Sequence, residues 1–194
     1  ISNTAIGSYA LYSNTTGNYN TASGTNSLRS NTTGSQNTAS GWNSLYTNTT
    51  GDKNTAVGRN ALFYNTEADK NTALGYYAGD IITTGSNNLM LGYGADPSVA
   101  AGTNQTAIGY EATGQANNSV TLGNEDVTAV YMAEDAGATV YAAGLNIGGT
   151  AVSATAAELN IMDGVTSSTT ELNLLDGVTS LASSVNGLSD GLVE

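Results

Sequence analysis

Asn20-Thr21-Ala22-Ser23-Gly24 returns as Asn37-Thr38-Ala39-Ser40-Gly41, then as Asn54-Thr55-Ala56-Val57-Gly58 and Asn71-Thr72-Ala73-Leu74-Gly75, a step of 17 residues each time. The same frame begins at Asn3, and its glycine continues through Gly92 and Gly109 to Gly123, the last step shortened to 14. Eight coils are legible. A second column, Gly17, Gly34, Gly51, Gly85 and Gly102, with Ala68 standing in once, closes the Asn-Thr-Thr-Gly turns. A period of 17 is too short for a helix pair and suits one turn of a β-solenoid, with two short strands and two turns. Gly and Asn at fixed phase suit positive-φ corners, and coils stacked about 4.8 Å apart give a rod of roughly 40 Å. Residues 1–123 are therefore expected to form an all-β solenoid or β-roll. The frame is in phase from its first residues, as expected of a processed product or a part of a longer protein.

Two columns of each repeat read as inner. Thr4 and its equivalents become Leu89 and Val120 in the degenerate coils, and the position two further on runs Ile6, Ser23, Ser40, Val57, Leu74, Leu91, Ile108 and Leu122. Positions two apart on a strand share a face, so both columns are expected to point inward. A third apolar column, Leu11, Leu28, Leu45 and Leu62, belongs to the second strand of the coil. About one aliphatic side chain per coil is little burial to set against ordering a whole coil of backbone. Three copies wound about one axis would merge the Leu column and the inner faces into a shared core, and an obligate homotrimer is expected.

The Asn-Thr-Ala-x-Gly and Asn-Thr-Thr-Gly repeats resemble those of tail-fibre proteins of tailed bacteriophages. Residues 104–123, with Thr106-Ala107-Ile108-Gly109, are similar to the β-roll heads of trimeric autotransporter adhesins. Thr155-Ala156-Ala157-Glu158-Leu159-Asn160-Ile161-Met162-Asp163-Gly164-Val165-Thr166 resembles a motif of phage fibre shafts. Together these stretches cover most of the chain. The resemblance implies a trimeric fibre, carried on a virion or an extracellular surface, that positions or performs binding to a host surface.

Composition narrows the chemistry. Among 194 residues there is no Cys and no His, which removes disulfides, thiol nucleophiles, the common zinc ligands and the usual general base. The net charge is −12; Arg29, Lys53, Arg59 and Lys70 all lie in residues 1–70 beside only three acids, leaving that stretch at +1 and the remainder at −13. Such a balance argues against nucleic acid and anionic membranes as partners. No apolar run approaches the roughly 20 residues of a membrane helix. No enzyme activity and no cofactor are expected.

Beyond Gly123 the period stops. Residues 124–152 are expected to form a β neck, with strands at 127–132, 139–142, 145–147 and 150–152 and a hairpin turn at Gly148-Gly149. Residues 153–194 repeat every 13, Glu158-Leu159-Asn160 returning as Glu171-Leu172-Asn173. Each repeat opens with a capping box, Thr155 with Glu158 and Ser168 with Glu171, and closes at a glycine. Helices of about two turns are expected, with Leu159, Met162, Leu172 and Leu175 as an assembly stripe, since such short helices need partners.

Candidate sites are few. The pairs Glu125-Asp126 and Glu134-Asp135 read as solvated turn or strand residues, and no metal-binding spacing surrounds Asp163 or Asp176. Ser8, Thr25, Trp42, Arg59, Tyr76, Tyr93 and Tyr110 follow the coil glycine, and Tyr12, Arg29, Tyr46 and Phe63 follow the Leu column. Aromatics at coil spacing suit stacking on sugar rings, which makes Trp42, Tyr76, Tyr93 and Tyr110 candidate contacts to a host cell-surface glycan. The bland alternative is that they pack coil on coil or protomer on protomer. The leading reading is a non-enzymatic structural fibre that spaces or presents host-binding surfaces. A glycan-binding adhesin is the alternative, and an ice-binding solenoid, which needs an exposed flat Thr array, is a third.

Overall fold

The structure, a computed structural model, describes residues 2–131, 145–147 and 150–152. The chain divides into two units, Ile1–Ala136 and Gly137–Glu194. In the first, every coil contributes one short strand, not the two expected, and the Leu column lies in turns: β1 Thr4–Ile6, β2 Thr21–Ser23, β3 Thr38–Ser40, β4 Thr55–Val57, β5 Thr72–Leu74, β6 Leu89–Leu91, β7 Gln105–Ile108 and β8 Ser119–Leu122. They pair in chain order as one parallel sheet, each residue against its equivalent one coil on, as Thr38↔Thr55 and Ala39↔Ala56. The first unit is thus a parallel β-solenoid of about seven turns, and the described residues contain no helix.

Asparagine holds the coils in phase. The backbone N–H of Asn37 donates to Asn20 Oδ1, and that of Asn54 to Asn37 Oδ1, each at 2.9 Å; the series runs on through Asn71 and Asn88 to Gln105. The Nδ2 of each closes its own coil, as in Asn37 to the Gly51 carbonyl at 2.7 Å. A second series joins Asn65 to Asn48, Asn48 to Asn31 and Asn31 to Asn14 through Nδ2 and Oδ1 at 2.7–2.8 Å. Asn20, Asn31, Asn37, Asn48, Asn54, Asn65 and Asn71 are all buried. A buried amide without partners costs about 1–3 kcal/mol, so these positions accept little else.

The inner face is the reverse of the sequence expectation. Ala22, Ala39, Ala56, Ala73, Met90 and Ala107 are fully buried, whereas the Thr column and the Ile6-to-Leu122 column lie on the outer face of the sheet. The physical reason is space. The interior already holds Leu28, Leu45 and Leu62, arriving from the far side of the coil, together with both asparagine series, and only a methyl fits opposite them. Coil five proves the rule by exchange: Gly79 stands where leucine did, and Ile82 with Met90 moves into the vacated space, a Cβ on Gly79 falling 3.3 and 3.4 Å from their side chains.

Leu28, Leu45 and Leu62 are buried inside one chain, and Leu11 is partly so. This corrects their placement in a core shared between copies. They sit in left-handed backbone, φ 50–52°, which costs a non-glycine residue about 1–2 kcal/mol and is offset by burying the leucine side chain. The corner glycines Gly24, Gly41, Gly58 and Gly75 have φ of 133–143°, and a Cβ there would meet the backbone of the next coil. The second glycine column, Gly17, Gly34 and Gly51, is needed for close approach to that neighbouring backbone, not for positive φ.

Residues 127–131 form no strand, against expectation; they follow the last coil, and among the described residues no further strand pairs with them. In the second unit β9 Leu145–Ile147 and β10 Thr150–Val152 pair antiparallel, Thr150 opposite Ile147, the two-residue connection read from Gly148-Gly149. The expected strand at 139–142 and the expected helices with Leu159, Met162, Leu172 and Leu175 lie outside the described residues.

Candidate functional site

Two surfaces of the solenoid stand out. The first is the outer face of the β1–β8 sheet. Inward alanines force the alternate residues outward, so Thr21, Thr38, Thr55, Thr72 and Thr106 form one column and Ser23, Ser40, Val57, Leu74, Leu91, Ile108 and Leu122 the other. Leu74 is 47% exposed, Leu122 46% and Val120 68%. Nothing else in the described unit covers these side chains.

The second surface is built by the columns that follow the corner glycine and the Leu position. Because the coils are in register, their rings pile up along the rod. Tyr76, Tyr93 and Tyr110 stack with centroids 5.3 and 5.4 Å apart and planes within 19°. Arg59 extends this pile: its guanidinium lies 4.4 Å from the Trp42 ring and 5.3 Å from that of Tyr76. The neighbouring column repeats the device, Arg29 between Tyr9 and Tyr46 at 5.5 and 5.6 Å, then Tyr46 stacked on Phe63 at 5.1 Å. Arg29 also donates to the Tyr46 hydroxyl.

Stacking decides what these rings offer. Both faces of Tyr93 are covered by its neighbours, and Tyr76 lies between Tyr93 and Arg59. A sugar approaching from solvent therefore meets ring edges at Tyr76 and Tyr93, Tyr110 being the exposed end of the pile, and coil-on-coil packing is the role the stacked geometry fills. Aromatic and cation–π pairs contribute about 0.5–1.5 kcal/mol each. Desolvation by its neighbours, then a hydrogen bond with Tyr77, raises the Tyr76 hydroxyl above its ordinary range; Tyr110 is raised first by its hydrogen bond to Glu111.

The carboxylates are arranged unevenly. Asp96 occupies the phase of the inner leucines and is largely buried; its pKa is pushed up to about 7, by burial and then by the charge of Asp80, while the Ile81 and Asp80 amides pull the other way. Its Oδ1 is buried without a partner. Burial raises Asp80 as well. Glu125 and Asp126 are exposed, as expected, and Glu134-Asp135 lies outside the described residues. Among the described residues no group of three metal-ligating side chains converges. The Asn-Thr-Thr sites at Asn31 and Asn48, which match a glycosylation pattern, are closed to modification by burial.

No protein-family model matches the chain, and no curated protein and no solved structure is significantly similar to it. The columns that build both surfaces were legible by spacing alone. The sandwiching of arginine between rings was not, because the sequence shows the residue types at one phase but not the tilt of their planes.

Proposed function

We propose that this chain is a segment of a non-enzymatic structural fibre, of the kind found in phage tails or bacterial surface appendages, and that it assembles as a homotrimer outside the cell or on a virion. The observation that carries this reading is the uncovered outer sheet face. Val57, Leu74, Leu91, Ile108 and Leu122 present one apolar side chain per coil, at the same phase, beside a threonine column. A surface with the period of the coil is matched best by another surface of that period, and three copies about an axis along the column bring like against like. The interior, by contrast, is satisfied within one chain. The role is then mechanical: repeated hydrogen-bonded coils give reach and stiffness, and the acidic surface keeps the rod dispersed.

The test is the mass of the intact chain in solution, by light scattering or native mass spectrometry. A species of three times 19.5 kDa is expected. Leu74→Asp with Leu91→Asp is expected to release a folded monomer, because buried unpaired charge disrupts an interface while these side chains leave the interior untouched. A monomeric parent, or a double variant that stays trimeric, overturns the proposal.

A second reading is supported by the same face. Thr21, Thr38, Thr55 and Thr72 point outward from a parallel sheet at coil spacing, which is the exposed Thr array an ice-binding solenoid requires. Leu89 and Val120 interrupt it. Thermal hysteresis by the parent, lost on Thr38→Tyr with Thr55→Tyr, would favour ice binding; its absence leaves the face to assembly.

A further inference from the structure

Between the two columns lies a cleft of about 250 Å³ lined by Trp42, Arg59, Asn60, Tyr64, Tyr77 and Asp80 among others. Three features set it apart from the rest of the rod. First, Arg59 is clamped between the Trp42 and Tyr76 rings, which fixes the plane of its guanidinium, and among the described residues its N–H groups meet no protein acceptor and no carboxylate. Second, the side-chain series from Asn26 to Asn43 to Asn60 ends here, because the next coil carries Tyr77 at that phase. Asn43 Nδ2 donates to Asn60 Oδ1 at 3.2 Å, and the Asn60 Nδ2 is left without a protein acceptor. Third, Asp80 replaces the ring that Phe63 supplies one coil earlier and brings a half-buried carboxyl to the same cleft.

A planar cationic fork, a neutral donor, a carboxylate acceptor and the rings of Trp42, Tyr64 and Tyr77 are the complement of a sugar that carries an acid group. We propose that the cleft binds one acidic monosaccharide unit of a glycan. Its carboxylate pairs with the Arg59 fork, a C–H face of the ring packs on Tyr64 beside the edge of Trp42, and hydroxyls donate to Asp80 and accept from Asn60 Nδ2. The volume falls below the roughly 300 Å³ at which drug-sized pockets begin, and suits one ring rather than an oligosaccharide. Charge permits it, since all four basic residues of the chain lie in residues 1–70, around this cleft's coils. The inference does not depend on assembly, because every lining residue comes from one chain.

Trp42 is the only tryptophan, so its emission reports on the cleft alone. The full chain is titrated with glucuronate, galacturonate and N-acetylneuraminate, with glucose and galactose as neutral counterparts and acetate at matched ionic strength. A saturable change with at least one acidic sugar is expected, with a Kd of about 1–10 mM as befits a single open site. Neutral counterparts should bind at least about tenfold more weakly, and Arg59→Lys, which keeps the charge but loses the fork, should weaken the acidic sugar by about as much. Asp80→Asn should weaken it while leaving the melting temperature at or above that of the parent. No saturable change with any acidic sugar at about 50 mM overturns the proposal. So does an equal response to acetate or to the neutral sugars, or parent-like binding by Arg59→Lys.

Discussion

Asn54 gives the sharpest test of the packing argument. Four bonds converge on this fully buried residue: its N–H donates to Asn37 Oδ1 at 2.9 Å, its carbonyl accepts from the Thr38 N–H at 2.8 Å, its Nδ2 donates to the Ala68 carbonyl at 2.7 Å, and its Oδ1 accepts from the Asn71 N–H at 2.9 Å. Asn54→Ala orphans the Asn71 amide at about 1–3 kcal/mol, leaves the Ala68 carbonyl with only the longer bond from Asn65 Nδ2 at 3.2 Å, and leaves a small void, for a loss of about 2–5 kcal/mol. Asn54→Asp has the same shape and keeps the acceptor, but its ionised carboxylate faces the Ala68 carbonyl in a dry interior, so its folded pKa must rise well above the unfolded value of about 3.9. The native state then holds its proton more tightly than the unfolded state. Stability of this variant is greatest below about pH 4, where the carboxyl O–H donates to Ala68, and it falls as pH rises until the folded pKa is passed. Each tenfold difference in proton affinity between the two states is worth about 1.4 kcal/mol, so the deficit relative to the parent is about 1 kcal/mol or less at pH 3.5 and about 3–4 kcal/mol at pH 7. Thermal melts followed by circular dichroism at fixed protein concentration read this as a drop of about 10 °C or more that disappears in acid. A pH-independent difference between Asn54→Asp and the parent refutes the reasoning, as does a loss below about 1 kcal/mol for Asn54→Ala. Asn18→Asp is the control: that side chain bonds the exposed Thr16 carbonyl, and no such pH dependence is expected.

Two other perturbations follow from the same geometry. Gly41→Ala places a Cβ 2.7 Å from the Gly58 carbonyl carbon at φ 141°, and should cost more than about 3 kcal/mol; Gly94→Ala, at φ 58° with nothing nearer than Glu111 Cγ at 3.4 Å, should cost about 1–2 kcal/mol. Equal melting of the two variants would show that coil-to-coil approach is not what the corner glycine serves. Asp96, raised to about 7, makes the parent lose stability as pH climbs from about 4 to 7; allowing for solvent at a partly exposed group the loss is about 1–3 kcal/mol, and urea titrations of Asp96→Asn should show it removed.

The period, the eight coils, the corner glycines and the outward aromatic columns were all legible, because each depends on a residue type recurring at one phase. The inward face was not. Ile6, Val57, Leu74, Leu91, Ile108 and Leu122 are more apolar than the alanines between them, and hydrophobicity alone assigns the apolar column to the core. The structure assigns it by volume instead: Leu45 and two asparagine series leave room across the sheet for a methyl. One signal pointed to this. Met90 stands in the alanine column one coil after leucine gives way to Gly79, a volume exchange that marks the two positions as neighbours across one interior. The acidic-sugar cleft was half legible, since Trp42 was singled out, but Asp80 and Asn60 join it only because two columns converge in space.

The inverted face also changes what assembly should look like along the rod. Were the leucines shared between copies, association would be strongest at Leu28, Leu45 and Leu62; they are sealed inside one chain, so the proposed trimer rests on the outer column. That column is not uniform. It offers Ser23 and Ser40 in the second and third coils, then Val57, Leu74, Leu91, Ile108 and Leu122. Each buried aliphatic side chain contributes about 1.5–3 kcal/mol and a serine close to none, so the copies should be held loosely at the second and third coils and tightly from the fourth coil onward. The chain has no cysteine, which allows single ones to be introduced as reporters. Leu74→Cys and Leu91→Cys, which the proposed trimer would place near its axis, should oxidise rapidly to covalent dimers on denaturing gels, and Ser23→Cys more slowly, because loosely held coils keep their thiols within about 4 Å of one another for less of the time. Equal rates would mean that the aliphatic column does not set the contact. Faster cross-linking at Ser23 would place the tight end of the assembly at the polar coils and refute the outer-column argument outright.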